Sequence, residues 1–161
     1  MITCTFEDGG KASLRHVVVG AIVVNQARDQ ILLERRSSTM GSGANLITIP
    51  GGFLDRGEST SEGVLRELKE ETGYLGKIVA LFRIKDNPNR RNEDRQNIDF
   101  VYLIEVGEKV GEPDQETAEV KWYSLNDLPP ENDWAFDHLF DVELYKQYLQ
   151  KPFPLPYLGK K

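Results

Sequence analysis

Glu67, Glu70 and Glu71 crowd one short segment, inside residues 51–74, GGFLDRGESTSEGVLRELKEETGY. Each is a carboxylate, and a group of carboxylates does one kind of chemistry well. It holds a hard divalent cation through oxygen, as Mg²⁺ or Mn²⁺ require. On a helix turning about 100° per residue, Glu70 falls about 60° to one side of Glu67 and Glu71 about 40° to the other. Val64, Leu65, Leu68 and Thr72 fill the adjoining arc, so the acids share a face beside an apolar one. Like charges at these spacings repel unless a cation sits among them. The competing reading is a solvated acidic face, with Arg66 and Lys69 forming surface pairs worth roughly a few tenths of a kcal/mol.

Positioning such acids requires a helix with defined ends. Ser59 and Glu62 form the pattern of a capping box, and Gly73 suits the left-handed residue that closes a helix, which predicts a helix over about 60–72. Apolar, β-branched runs predict strands at 16–24 (buried on both faces), 30–36, 45–50, 77–85, 98–106 and 118–123. A second amphipathic helix is expected over 135–149, from Phe136, Leu139, Phe140, Leu144 and Tyr148. The order of strands, helix, strands and helix points to a single α/β domain around a mixed or antiparallel sheet. That domain is expected to occupy 1–150, followed by a Pro-rich tail, 151–161, extended or loosely packed.

The chain has 161 residues, a net charge of −6 and one cysteine, Cys4. An internal disulfide and a cysteine metal cluster are therefore excluded, and the acidic balance argues against binding nucleic-acid backbones. No apolar run reaches the roughly 18 residues of a membrane span. The segment MITCTFEDGGK has no basic-then-apolar order, so a cytoplasmic location is expected.

From Gly52 the chain runs through Glu58, Arg66-Glu67-Leu68, Glu70-Glu71 and Gly73-Tyr74 at spacings that resemble the Nudix box of the Nudix hydrolases. The resemblance implies an α/β/α sandwich around a mixed sheet, with the box forming loop, helix and loop. It implies Mg²⁺-dependent hydrolysis of a nucleoside diphosphate linked to another group, with Mn²⁺ as a substitute. Glu67 and Glu71 would be the main metal ligands, joined by the carbonyl of Gly51. Glu70 would be a further ligand or the general base. Glu58 and Arg66 would tie loop to helix and orient the carboxylates. A late loop acid often completes such a site; Glu116 fits best and Glu119 second, and the base stays open between Glu70 and Glu116.

Substrate choice lies outside the box. Pro88 and the segment DWAFDH at 133–138 resemble members acting on ADP-ribose-like ligands. Arg36 is the phosphate-facing candidate, because alternation along the strand directs only one of Arg35 and Arg36 to the cleft. Arg90 and Arg91 offer guanidinium forks for a diphosphate, or belong to a solvated loop with Asp86, Glu93 and Asp94. Phe82, Tyr102 and Trp134 could stack on a base, and each also fits core packing; His16 and His138 read as structural. The expected substrate is ADP-ribose or a similar nucleoside diphosphate sugar. The alternatives are a MutT-type nucleoside triphosphate pyrophosphatase and a non-catalytic ligand-sensing module, the latter disfavoured by the intact carboxylates. The family resemblance also allows a homodimer.

Overall fold

Residues 3–13, 15–88 and 97–159 are described here from a computed structural model. The strand Val17–Val24 (β3) explains the layering. Its even and odd residues point to opposite faces of the sheet. Val19, Ala21 and Val23 join one core with Leu32, Tyr102 and Ile104; Ile22 and Val24 join a second with Ile31, Leu33, Val101 and Leu103. Helix Thr60–Thr72 (α1) closes the first core through Val64 and Leu68. Helix His138–Gln150 (α2) closes the second through Val142, Leu144 and Tyr145. Each fully buried aliphatic side chain here contributes roughly 1.5–3 kcal/mol. The result is the expected α/β/α sandwich, a single domain around a mixed sheet.

Gln30–Arg36 (β4) and Ile98–Lys109 (β8) flank β3, the first antiparallel and the second parallel. Tyr74–Lys85 (β7) pairs β8, and Thr117–Ser124 (β9) pairs β4, both antiparallel. Of the run expected as a strand at 45–50 only two residues are strand, and the glycines beyond it begin another. Ile47–Thr48 (β5) pairs β4, while Gly51–Phe53 (β6) pairs the first half of β3. β3 meets β4 only at Val23 and Val24, so the sheet parts at the other end of β3 and a cleft opens there.

The first helix has the expected limits. Ser59 accepts from the Glu62 amide while the Glu62 side chain accepts from the Ser59 amide, and Gly73 closes the helix at φ 75°. The second starts three residues later than its periodicity suggests. Ala135 donates its amide to the Ile47 carbonyl, and Phe136 adopts φ 53°, which interrupts a helical path.

Two features lay outside the sequence reading. Thr3–Thr5 (β1) and Lys11–Ser13 (β2) form a separate small hairpin. The extended tail packs: Phe153, Leu155 and Tyr157 lie against the α2-side core, and Tyr157 exchanges backbone hydrogen bonds with Phe82 and Ile84 of β7. That covers part of an otherwise open sheet edge.

Candidate active site

The parted end of the sheet holds a cleft of about 1060 Å³. Glu67, Glu70 and Glu71 all line it, with Gly51 and Gly52 from β6 and Arg36 from the end of β4. The three acids differ in their surroundings. Glu71 is buried and its Oε2 accepts the Gly51 amide at 2.7 Å. Burial raises its pKa well above the ordinary carboxylate value, and the charge of Glu34 pushes it further. Glu67 is mostly buried; burial raises its pKa too, against the lowering effect of Arg66. Glu70 keeps half its side-chain exposure.

Arg66 organises this wall. Its Nε and Nη2 bind the two oxygens of Glu58 at 2.8 and 2.9 Å; Nη2 also reaches the Phe53 carbonyl at 3.1 Å. Nη1 is shared by Glu67 at 2.9 Å and Glu70 at 3.0 Å. All five guanidinium N–H groups are used, a task a lysine could not take over. The hydrogen bonds from Arg66 hold the Glu58 carboxyl below its usual pKa. Part of the repulsion among the acids is therefore met by Arg66, but Glu71 lies beyond its reach.

The glycines before the helix admit these acids. A Cβ on Gly52 would stand 2.6–2.9 Å from the Glu67 carboxylate. One on Gly51 would meet the Val19 carbonyl oxygen at 2.1 Å. The carboxylate and the β3 backbone occupy the space that side chains would need.

Of the late loop acids, Glu116 lines the cleft and is exposed. Glu119 does not line it; it faces Arg35 at 3.7 Å on the sheet surface. Arg36 reaches the cleft, with Nε on the Ser42 carbonyl at 3.1 Å, while Arg35 points away to the Asn45 carbonyl. The alternation argument thus selected the arginine that faces the cleft. Arg90 and Arg91 lie outside the described residues.

Residues 14–141 match the sequence model of the NUDIX domain. This chain belongs to the Nudix family. It is 32% identical over 138 residues to an ADP-ribose pyrophosphatase of Methanocaldococcus jannaschii, covering 84% of this chain and 75% of that protein. It is 28% identical over 126 residues to the 8-oxo-dGTP diphosphatase of Escherichia coli, covering 74% and 93%. The NUDIX domain of Shewanella oneidensis NrtR, solved with ADP ribose, superposes with a TM-score of 0.70 at 26% identity, covering 86% and 90% of the two chains. The protein is accordingly a hydrolase, similar to ADP-ribose pyrophosphatases.

Several residues of this Nudix cleft escaped the sequence reading. Asp114 lines it, and its amide bonds the Glu70 carbonyl at 2.9 Å. Glu34 is buried beside Glu71, and its Oε2 accepts from the Thr117 hydroxyl at 3.3 Å. Its parity with Leu32 and Arg36 along β4 was the signal that it faces α1. His138 and Phe136 stand on the cleft wall, whereas Phe82, Tyr102 and Trp134 are packed in the cores. Trp134 also donates its Nε1 to the Pro129 carbonyl.

Asp137, His138 and Asp141 bring ligand atoms within 4.8 Å of one another, as a metal site would. The Lys85 ammonium already sits there, 2.8 Å from Asp141, 3.2 Å from Asp137 and 2.7 Å from Asp99. This cluster has its cation built in. Among the described residues, no helix is long and apolar enough to cross a membrane.

Proposed function

We propose that the enzyme hydrolyses the diphosphate linkage of ADP-ribose or a similar nucleoside diphosphate sugar, with Mg²⁺ as its cofactor. The observation that carries the metal is the Glu67–Glu71 wall. Two largely buried carboxylates face a cleft, and among the described residues no ion pair balances Glu71. An all-oxygen donor set with surplus negative charge fits Mg²⁺, and Mn²⁺ next. Glu67, Glu71 and the Gly51 carbonyl would hold the ion, with Glu70 or Glu116 completing the set. Bound there, it would supply Lewis acidity, lowering the pKa of a coordinated water and offsetting phosphoryl charge.

The chain's own residues do the rest. Arg66 fixes Glu67 and Glu70 against the loop, so the acids are oriented before substrate arrives. Arg36 places a guanidinium beside the acids, suited to a phosphate oxygen. Glu70 or Glu116 takes the proton of the attacking water. Substituting each by Gln and recording the pH profile of kcat identifies which, because only loss of the base removes the acidic limb.

ADP-ribose is favoured by the archaeal relative and by the NrtR neighbour bound to that ligand. The E. coli relative supports a second reading, a nucleoside triphosphate pyrophosphatase. Products separate the two. The first releases AMP and ribose 5-phosphate; the second releases a nucleoside monophosphate and pyrophosphate. A panel of diphosphates and triphosphates with Mg²⁺ or Mn²⁺, followed by chromatography, tests both. Absence of turnover across the panel would overturn the catalytic reading.

A further inference from the structure

The loop between β8 and β9 brings two exposed acids to the cleft, Asp114 and Glu116. Exposed connections are ordinarily mobile. This one is fastened to the helix that bears the acidic wall. The amides of Val110 and Gly111 donate to the Gly73 carbonyl at 2.8 and 3.2 Å, and the Asp114 amide donates to the Glu70 carbonyl at 2.9 Å. The last carbonyls of a helix have no partner within it, and here the loop supplies one. A Cβ on Gly73 would meet the Gly111 carbonyl oxygen at 2.1 Å, so the loop lies directly on the helix end.

On its other side the loop is fastened to β4. The β4–β9 ladder runs from Gln30 opposite Ser124 to Arg35 opposite Glu119; Ala118 is then passed over, and Arg36 stands opposite Thr117. Bulges of this kind re-aim side chains next to active sites. Here Thr117 reaches Glu34, and the Glu116 carbonyl accepts the Ser37 amide at 2.7 Å.

Glu116 is thus held by its carbonyl. Its amide is held by a side chain, donating to Asp114 Oδ1 at 2.9 Å. This is an Asx turn, in which a short carboxylate stands in for a backbone carbonyl. The ties form one chain, from the Glu70 carbonyl through Asp114 to Glu116 and on to Ser37. Only the link from Asp114 to Glu116 passes through a side chain. The two acids also face different parts of the wall. After burial, the charges of Glu70 and Glu116 raise the pKa of Glu67. After burial, the charge of Asp114 raises that of Glu34.

We propose that Asp114 is a positioning residue, whose carboxylate accepts the Glu116 amide and so holds Glu116 at the Glu67 end of the acidic wall, in register with α1. The proposal rests on the diphosphate reading, in which Glu116 serves as a metal ligand or as the base. Either task needs its carboxylate placed to within about 0.5 Å. Asp114 acts through Glu116, and what it contributes is an acceptor oxygen, not a charge.

Two substitutions separate those properties. Asp114→Asn keeps an acceptor for the Glu116 amide and loses the charge; Asp114→Ala loses both. Both alter an exposed side chain, so the melting temperature should hardly move. Amide hydrogen exchange by NMR, in metal-free protein, should show the Glu116 amide protected in wild type and Asp114→Asn, and exchanging about fivefold faster or more in Asp114→Ala. In the Mg²⁺ assay Asp114→Ala should lower kcat about 10–100-fold with KM within about threefold, and Asp114→Asn should stay within about threefold of wild type in both. In a Glu116→Gln background, Asp114→Ala should cost less than about twofold more, because Asp114 then has nothing left to place. Losses that multiply, or a Glu116 amide exchanging alike in all three proteins, overturn the proposal. So does an Asp114→Asn variant as poor as Asp114→Ala, which would mean that the charge itself works in the site. A Glu116→Gln enzyme as active as wild type also overturns it, and leaves the diphosphate reading standing on Glu70. Absence of wild-type turnover overturns both readings together.

Discussion

Glu34 of β4 lies beside Glu71 of α1, although both are acids and both are buried. Two buried acids so close cannot both be charged, so one proton serves the pair. Burial raises the pKa of Glu34 from 4.5 to about 8, ahead of the lowering effects of Arg36, Thr117 and Glu71. The folded protein thus keeps a proton that the unfolded chain gives up near the ordinary value. Its stabilising effect is complete below that ordinary value and is lost as pH rises through about 8. Metal-free protein should therefore lose stability between about pH 5 and 8.5, on the order of a few kcal/mol, at about 1.4 kcal/mol per pKa unit. Glu34→Gln can donate to Glu71 and accept from Thr117, so it should flatten that slope. Urea titrations in chelator at the two pH values measure both slopes; parallel slopes would refute the shared proton.

Glu71→Gln keeps the shape of the side chain and its oxygen for the Gly51 amide. What it loses is the charge that would hold a cation. The expected result is a fall in kcat of about 10²-fold or more with the thermal midpoint nearly unchanged, since loss of a metal ligand acts on chemistry before fold. Parallel melting and steady-state assays decide it. An active variant would remove Glu71 from the metal site.

Gly52→Ala probes the same wall from the opposite side. Its new methyl would meet the Glu67 carboxylate, the far end of a flexible side chain, rather than backbone. The fold should yield by moving that carboxylate. Activity should then fall about 10–100-fold, with a higher Mg²⁺ concentration needed for half-maximal rate, while stability changes by less than about 1 kcal/mol. A large loss of stability with unaltered metal dependence would mean that the contact is packing alone.

How much of this was legible in the chain depends on the range of each signal. The limits of α1 follow from Ser59, Glu62 and Gly73, all within or next to the helix, and local capping chemistry was enough to place them. Strand parity separated Arg36 from Arg35 for the same reason. Glu34 obeys that parity, but its role appears only when β4 is laid against α1. Asp99 and Phe136 are brought together by the parallel β3–β8 pairing and by the turn at 134–136, and no local pattern encodes either. The tail did carry a signal. Phe153, Leu155 and Tyr157 alternate as in a strand with one buried side, but the intervening prolines obscured it.

Arg66→Lys tests whether orientation of the acids matters beyond charge. A lysine retains the positive charge but cannot serve Glu58, Glu67, Glu70 and the Phe53 carbonyl together. The loop at Phe53–Glu58 would lose its tie to the helix. A drop in kcat of about 10–100-fold is expected, typical for groups that orient metal ligands, with KM less affected. If kcat holds and only the melting temperature falls, Arg66 is a structural tie without influence on the acids.

Lys85→Met asks whether Asp99, Asp137 and Asp141 are an ion network or a second metal site. Lys85 is bonded to all three acids, and its removal leaves Arg83 as a partner of Asp141. Breaking a buried pair from one side leaves charge uncompensated, which costs about 3–5 kcal/mol. The variant should therefore melt well below wild type. Mg²⁺ or Mn²⁺ should not restore it, because the acids converge on an ammonium-sized space inside the fold. Recovery of the melting temperature with either ion, in a variant that also carries Glu71→Gln to silence the cleft, would instead make the three acids metal ligands.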